Sequence, residues 1–161
     1  MDVRFGEMDD LPDSKTASPA REEPAPCRLQ AAALPWRRTE TGVAIMLITS
    51  RDTGRWVLPK GWPKAGELLC DAAAREAAEE AGIEGRVAGK ELGRFFYAKT
   101  RAKGDPVPCE VLVYPLEVGS VAKRWKEKGQ RDRRWVSPDD AAGMVAEPGL
   151  STLLAGFATR D

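Results

Sequence analysis

The sequence predicts an α/β domain built on a mixed β-sheet, and three observations support it. Apolar, β-branched runs of strand length lie on both sides of one central helical stretch. Helix-start chemistry recurs only near the C-terminus, at Ser137-Pro138-Asp139-Asp140, and a last helix follows the break at Pro148-Gly149. The chain has 161 residues, 42 % hydrophobic and 31 % charged, which suits a single domain with one good core.

Residues 1–26 hold seven acids, three bases and four prolines, with few large apolar side chains. That composition predicts a disordered acidic tail, so Asp9, Asp10 and Asp13 are read as solvated and the folded domain is expected over residues 27–161. The first strand is placed at residues 28–36, with Pro35 suggesting an edge or a bend at its end. Residues 41–50, TGVAIMLITS, form the strongest strand candidate. A turn at 50–54 and a short strand at 56–58 follow. Two prolines and two glycines make residues 59–66 a loop. The central helix runs over about 68–81, and Gly82 is its natural stop. One or two strands occupy 86–97, a basic loop 98–108 and another strand 109–118. A basic segment, 123–134, leads to Trp135-Val136. Ser137 caps a short helix reaching about 146, with Pro138 in its first turn. Pro148-Gly149 breaks it, and a last helix spans 150–159.

The central helix carries the chemistry. Glu76, Glu79 and Glu80 stand at i, i+3 and i+4, within roughly one quadrant of an α-helix. Leu69, Ala73, Ala77 and Ala81 line another face at four-residue spacing, small enough for close packing on a sheet. Like charges at i,i+4 weaken a helix by about 0.2–0.5 kcal/mol per pair. Such a face is either solvated or held together by a divalent cation.

Spacing decides between those two. Gly61 is followed after five residues by Glu67, and after seven more by Arg75-Glu76-Ala77, with Glu79-Glu80, Gly82 and Ile83 beyond. This series resembles the Nudix box, G-x5-E-x7-R-E-U-x-E-E-x-G-U with U apolar. The one departure is the small Ala77 at the first U. The resemblance implies an α/β/α sandwich that hydrolyses a pyrophosphate link with a divalent metal ion. Thr49-Ser50-Arg51-Asp52, Arg55 to Gly61 and Arg131 to Trp135 resemble the diphosphoinositol polyphosphate phosphohydrolase branch, which also cleaves diadenosine polyphosphates. Members of that branch often place a basic residue near the start of the last helix, where this chain has Glu147-Pro148-Gly149.

An all-carboxylate face suits Mg²⁺, with Mn²⁺ as a substitute. Glu76 and Glu80, one turn apart, are the principal metal ligands expected. The branch implies that Glu79 orients and deprotonates the attacking water; Glu79 as a further metal ligand is the competing assignment. Glu67 and Arg75 are expected to pair across the loop–helix junction, and Gly61 and Gly66 to let backbone approach the metal or phosphates. Arg28, Ser50, Arg51, Lys60, Gly61, Arg131 and Arg133 are the substrate-contact candidates, since guanidinium forks match phosphate geometry. Lys99, Arg101 and Lys103 add to the basic set. Trp62 and Trp125 are candidate ligand contacts, whereas Trp36, Trp56 and Trp135 are assigned to packing.

Composition removes other chemistries. With no histidine in the chain, Ser-His-Asp and Cys-His catalysis and His-ligated zinc are excluded. Cys27, Cys70 and Cys109 are odd in number and widely spaced, which fits reduced thiols and a cytoplasmic location. No apolar run approaches the ~18 residues of a membrane span, and the N-terminal residues lack a basic-then-apolar leader pattern. Residues 120–135 hold seven bases and two acids but no stacking or recognition-helix motif, so no nucleic-acid partner is expected. The expected partner is a phosphorylated small molecule bound by a monomer or homodimer. The alternatives are another nucleoside diphosphate derivative, such as an oxidised nucleotide or ADP-ribose, and a non-catalytic Nudix ligand-binding module.

Overall fold

The computed structural model describes residues 27–157. The expected tail over 1–26 and the last residues of the predicted final helix lie outside them. Eight strands form one mixed sheet: β1 (Arg28–Thr39), β2 (Gly42–Thr49), β3 (Trp56–Val57), β4 (Lys60–Gly61), β5 (Ile83–Val87), β6 (Gly93–Lys99), β7 (Val107–Val121) and β8 (Arg133–Val136). The path runs β3-β2-β1-β7-β5, with β4 on β1, β6 on β7 and β8 on β2. β1 and β7 are parallel and the other pairs antiparallel. The helices are α1 (Leu69–Glu76), continued by a π-helical turn (Ala77–Ala81), then α2 (Pro138–Met144) and α3 (Pro148–Ala155).

The sheet is covered on both faces, giving two cores. Ala31, Ala33, Met46, Ile48, Leu112, Tyr114 and Leu116 pack with Ala72, Ala73, Ala77 and Ala81 of the acidic helix. Ala32, Leu34, Ile45, Leu47, Val111 and Val113 pack with Ala141, Leu150 and Leu154 of α2 and α3. Adjacent residues of β1 therefore serve opposite cores, which is why its sequence is a continuous apolar run rather than an alternating one. Alanines on both sides of the first interface let helix and sheet approach closely. Ala77, the departure from the bulky motif residue, is wholly buried there.

Several expectations need correction. β1 is central and longer than predicted, so Pro35 marks no edge. β7 flanks it at Leu116, while its other side passes from β4 at Ala31 and Ala32 to β2 at Trp36. A proline lacks the donor a continuous ladder would need, and this change of partner is where one is tolerated. The loop over 59–66 contains β4, whose two residues lock onto Ala31 and Ala32. The final helix starts at Pro148, two residues before the expected start at 150, because proline's missing N–H costs nothing in a first turn. The Ser137 cap is as expected, its Oγ accepting from the Asp140 N–H at 3.0 Å.

Candidate active site

Gly82 ends the acidic helix in the left-handed region, φ 67°, which glycine adopts without steric cost. Upstream, Arg75 fastens the entering loop. Its Nε and Nη2 donate to both Glu67 oxygens at 2.8 and 2.9 Å, Nη2 also reaches Trp62 O at 3.1 Å, and Nη1 reaches Glu76 Oε2 at 3.0 Å. The Arg75 fork, with help from the Lys64 N–H, holds the Glu67 carboxyl down to about 2. The expected Glu67–Arg75 pair is thus formed, and it aims Glu76 as well. Gly61 sits directly against Glu76, where a Cβ would overlap that carboxylate.

The result is an open cleft of about 300 Å³ whose floor carries Glu76 and Glu80 and whose walls include Ser50, Arg51, Lys60, Gly61, Trp62 and Arg131. Glu80 is almost wholly buried. It accepts from the Lys60 N–H at 3.3 Å and lies 3.5 Å from Arg131 Nη2. Burial, opposed by Arg131 and reinforced by neighbouring Glu76, pushes its carboxyl up to about 8. Arg131 is fixed from three sides: besides Nη2 at Glu80, Nε donates to Glu127 Oε1 at 2.7 Å and Nη1 to Thr49 O at 3.1 Å. Arg51 stays exposed, its Nη1 donating to Gln130 Oε1 at 3.0 Å. Burial pushes the Lys60 ammonium down from its usual value, partly offset by Glu80 and Glu147. Past Lys60 and Tyr97 the cleft opens into a second hollow of about 430 Å³ walled by Arg55, Lys99, Arg101 and Glu147.

Not every candidate joins this cleft. Glu79 projects beside it, with Oε2 3.9 Å from Arg75 Nη1 and Oε1 3.8 Å from Lys126 Nζ. Arg28 lies outside the lining but stacks on Trp62, its guanidinium carbon 4.8 Å from the ring centre. Arg133 turns away, donating to Ala81 O and Ala122 O. Gly66 takes a turn conformation, φ 77°, clear of the carboxylates. Trp125, expected as a ligand contact, packs on Gly82 and donates to Glu80 O. Sequence reasoning missed Gln30, Tyr97 and Glu127. Gln30, a lone amide in an apolar run, is buried and accepts from the Tyr97 hydroxyl at 2.8 Å; its isolation was the available signal.

Among the described residues, no three acidic or cysteine side chains gather closely enough to enclose a metal ion alone. Glu76 and Glu80 do converge, in an oxygen-only donor set. A buried carboxylate shifted strongly toward its neutral form, facing a half-buried second one, is what a bound divalent cation would relieve. Mg²⁺ characteristically takes one or two carboxylates and fills its shell with water and substrate phosphate. The residues present therefore fit such an ion.

A NUDIX domain family model matches residues 28–155. The chain belongs to the Nudix family. Nudix hydrolase 4 of Arabidopsis thaliana is 37 % identical over 119 residues, 73 % of this chain and 56 % of that protein. Diphosphoinositol polyphosphate phosphohydrolase 3-alpha of Homo sapiens is 31 % identical over 125 residues, 76 % of this chain and 72 % of that protein. The chain spans about three fifths of the length of several plant relatives. The C. elegans Ap4A hydrolase binary complex shares the Nudix fold at TM-score 0.63 and 23 % identity, covering 83 % of this chain and 96 % of that one. No described helix is long and apolar enough to cross a membrane.

Proposed function

We propose that this Nudix protein hydrolyses a pyrophosphate linkage in a highly phosphorylated small molecule, a diphosphoinositol polyphosphate or a dinucleoside polyphosphate, using Mg²⁺. The observation that carries this reading is the convergence of half-buried Glu76 and buried Glu80 on a cleft that Arg51, Lys60 and Arg131 also line. The likeness to a diphosphoinositol polyphosphate phosphohydrolase supports the substrate class.

A bound divalent cation would neutralise phosphate charge and ease loss of the leaving phosphate. Glu76 and Glu80 are the residues to hold it. Arg131, pinned by Glu127 and Thr49, sits at the cleft wall as a fixed positive group for phosphate oxygens. Arg51 supplies an exposed one further out, its Nη1 bonded to Gln130. Glu79, on the same turn and more open to water, is assigned the proton of the attacking water. Attack at phosphorus breaks the bond to the bridging oxygen, which leaves with the second phosphate.

The test is phosphate release with Mg²⁺ across diphosphoinositol polyphosphates, dinucleoside polyphosphates, nucleotide sugars and nucleoside triphosphates, repeated in excess chelator. Turnover confined to the first two classes and lost in chelator is expected. Preference for ADP-ribose or a triphosphate would move the protein to another Nudix substrate class. Full turnover in chelator would remove the metal assignment.

A further inference from the structure

The π-helical turn ends in carbonyls that the helix cannot pair by itself. One segment, the loop from residue 122 with the first residue of β8, takes three of them and that of the Gly82 cap in succession. The Glu127 N–H donates to Glu79 O at 3.1 Å, Trp125 Nε1–H to Glu80 O at 3.1 Å, Arg133 Nη1–H to Ala81 O at 3.0 Å, and the Ala122 N–H to Gly82 O at 2.8 Å. Two of these donors are side chains with little freedom. The Trp125 ring lies against Gly82, where an added Cβ would come within 2.8 Å of it. On that ring the Arg133 guanidinium stacks at 3.8 Å. Arg133 also closes the loop on itself through Ala122 O at 3.1 Å.

The same loop reaches the carboxylates. Lys126 is 3.8 Å from Glu79, and Arg131, steadied by Glu127, is 3.5 Å from Glu80. A π turn is a rare conformation that persists where surroundings support it, and such turns recur at functional sites. Relaxation to α geometry would rotate Glu79 and Glu80 about the helix axis relative to Glu76. What stands against that here is the set of carbonyl bonds from the loop.

We propose that Trp125 and Arg133 are positioning residues, clamping the π turn so that Glu80 meets Glu76 at the cleft floor and Glu79 stands beside them. This inference rests on the metal-dependent reading of the site. It also gives Arg133 and Trp125 a task other than touching substrate.

The experiment measures Mn²⁺ binding to the full chain by electron paramagnetic resonance, without substrate, alongside kcat and KM. Trp125→Phe keeps an aromatic ring in place but removes the indole N–H together with part of the ring; Arg133→Met keeps an unbranched apolar stem and removes the guanidinium donors. Each should weaken Mn²⁺ binding about fivefold to tenfold, as one or two lost hydrogen bonds would. Each should also lower kcat per folded molecule with KM little changed, and speed amide exchange in residues 77–82. Arg124→Ala, in the same loop but not among the four donors, should leave Mn²⁺ binding as in wild type. Should one variant fail to fold, the other carries the test. Wild-type Mn²⁺ affinity in a folded variant overturns the clamp alone, whatever its turnover. A wild-type protein that binds no Mn²⁺ overturns the clamp and the metal assignment together.

Discussion

Glu76, Glu79 and Glu80 belong to one acidic motif, yet the fold treats them differently. Glu80 is buried against Arg131 and the Lys60 N–H, Glu76 is wedged between Arg75 and Gly61, and Glu79 faces outward between Arg75 and Lys126. Glu79→Gln should therefore cut kcat by about 10²–10⁴ with little effect on divalent-ion affinity, while Glu76→Gln and Glu80→Gln weaken both. Titrating Mn²⁺ into the three variants separates the roles; equal affinity losses would make Glu79 a third ligand. Glu80 also predicts a pH effect. Its folded pKa, about 8, lies above the ordinary value of 4.5. The stability it contributes is complete below 4.5 and is lost as pH rises through about 8. In chelator, Tm should fall across that window, less steeply in Glu80→Gln, and Mg²⁺ should restore it. Identical slopes for wild type and variant would show that Glu80 is ionised throughout. The motif made all three carboxylates legible in sequence. Their division between cleft floor and flank was not, because it depends on a loop some 45 residues downstream.

Among the elements, the two-residue β4 has the largest effect for its size. Pairing with Ala31 and Ala32 brings Gly61 against Glu76 and aims the Lys60 N–H at Glu80. Gly61→Ala should leave the sheet folded but displace the Glu76 carboxylate, costing on the order of a hundredfold in turnover. Circular dichroism and Tm near wild type, with activity lost, would match this; unchanged activity would mean that Glu76 moves freely. β4 could not be read from sequence, since Pro59-Lys60-Gly61 has loop composition and its strand geometry is imposed by β1. The same limit hid the π turn, because spacing of Glu and Ala fits α and π geometry alike. Strands with β-branched runs, such as β2, and caps with local chemistry, such as Ser137, were legible because neighbouring residues determine them.

At the scale of the molecule, the basic residues separate into those the fold consumes and those it leaves for a ligand. Arg133 and Arg75 are engaged by backbone carbonyls and carboxylates, and Arg131 is held on three sides. Arg51 is exposed at the rim and is the cleaner probe of substrate charge. Arg51→Ala should raise KM about fivefold for a substrate with four or more phosphates, equivalent to the ~1 kcal/mol of an exposed pair, and less for a nucleotide sugar. The difference should shrink with added salt. Equal losses on both substrates would show that Arg51 does not sense phosphate number. Sequence alone marked these bases as a set. Sorting them required the partners that only the folded chain supplies.

The parallel pairing of β1 with β7 joins Arg28 to Cys109 and Trp36 to Glu117. During synthesis on a ribosome, β1 emerges early and must wait for residues up to Glu117 before this flank finds its partner. At about 5–20 residues per second that is a delay of seconds, with an apolar strand edge unpaired. Non-local parallel pairing of this kind is slow to form and exposed to aggregation meanwhile. Recombinant yield should therefore respond to growth temperature and to chaperone supply more than the finished protein's stability would suggest.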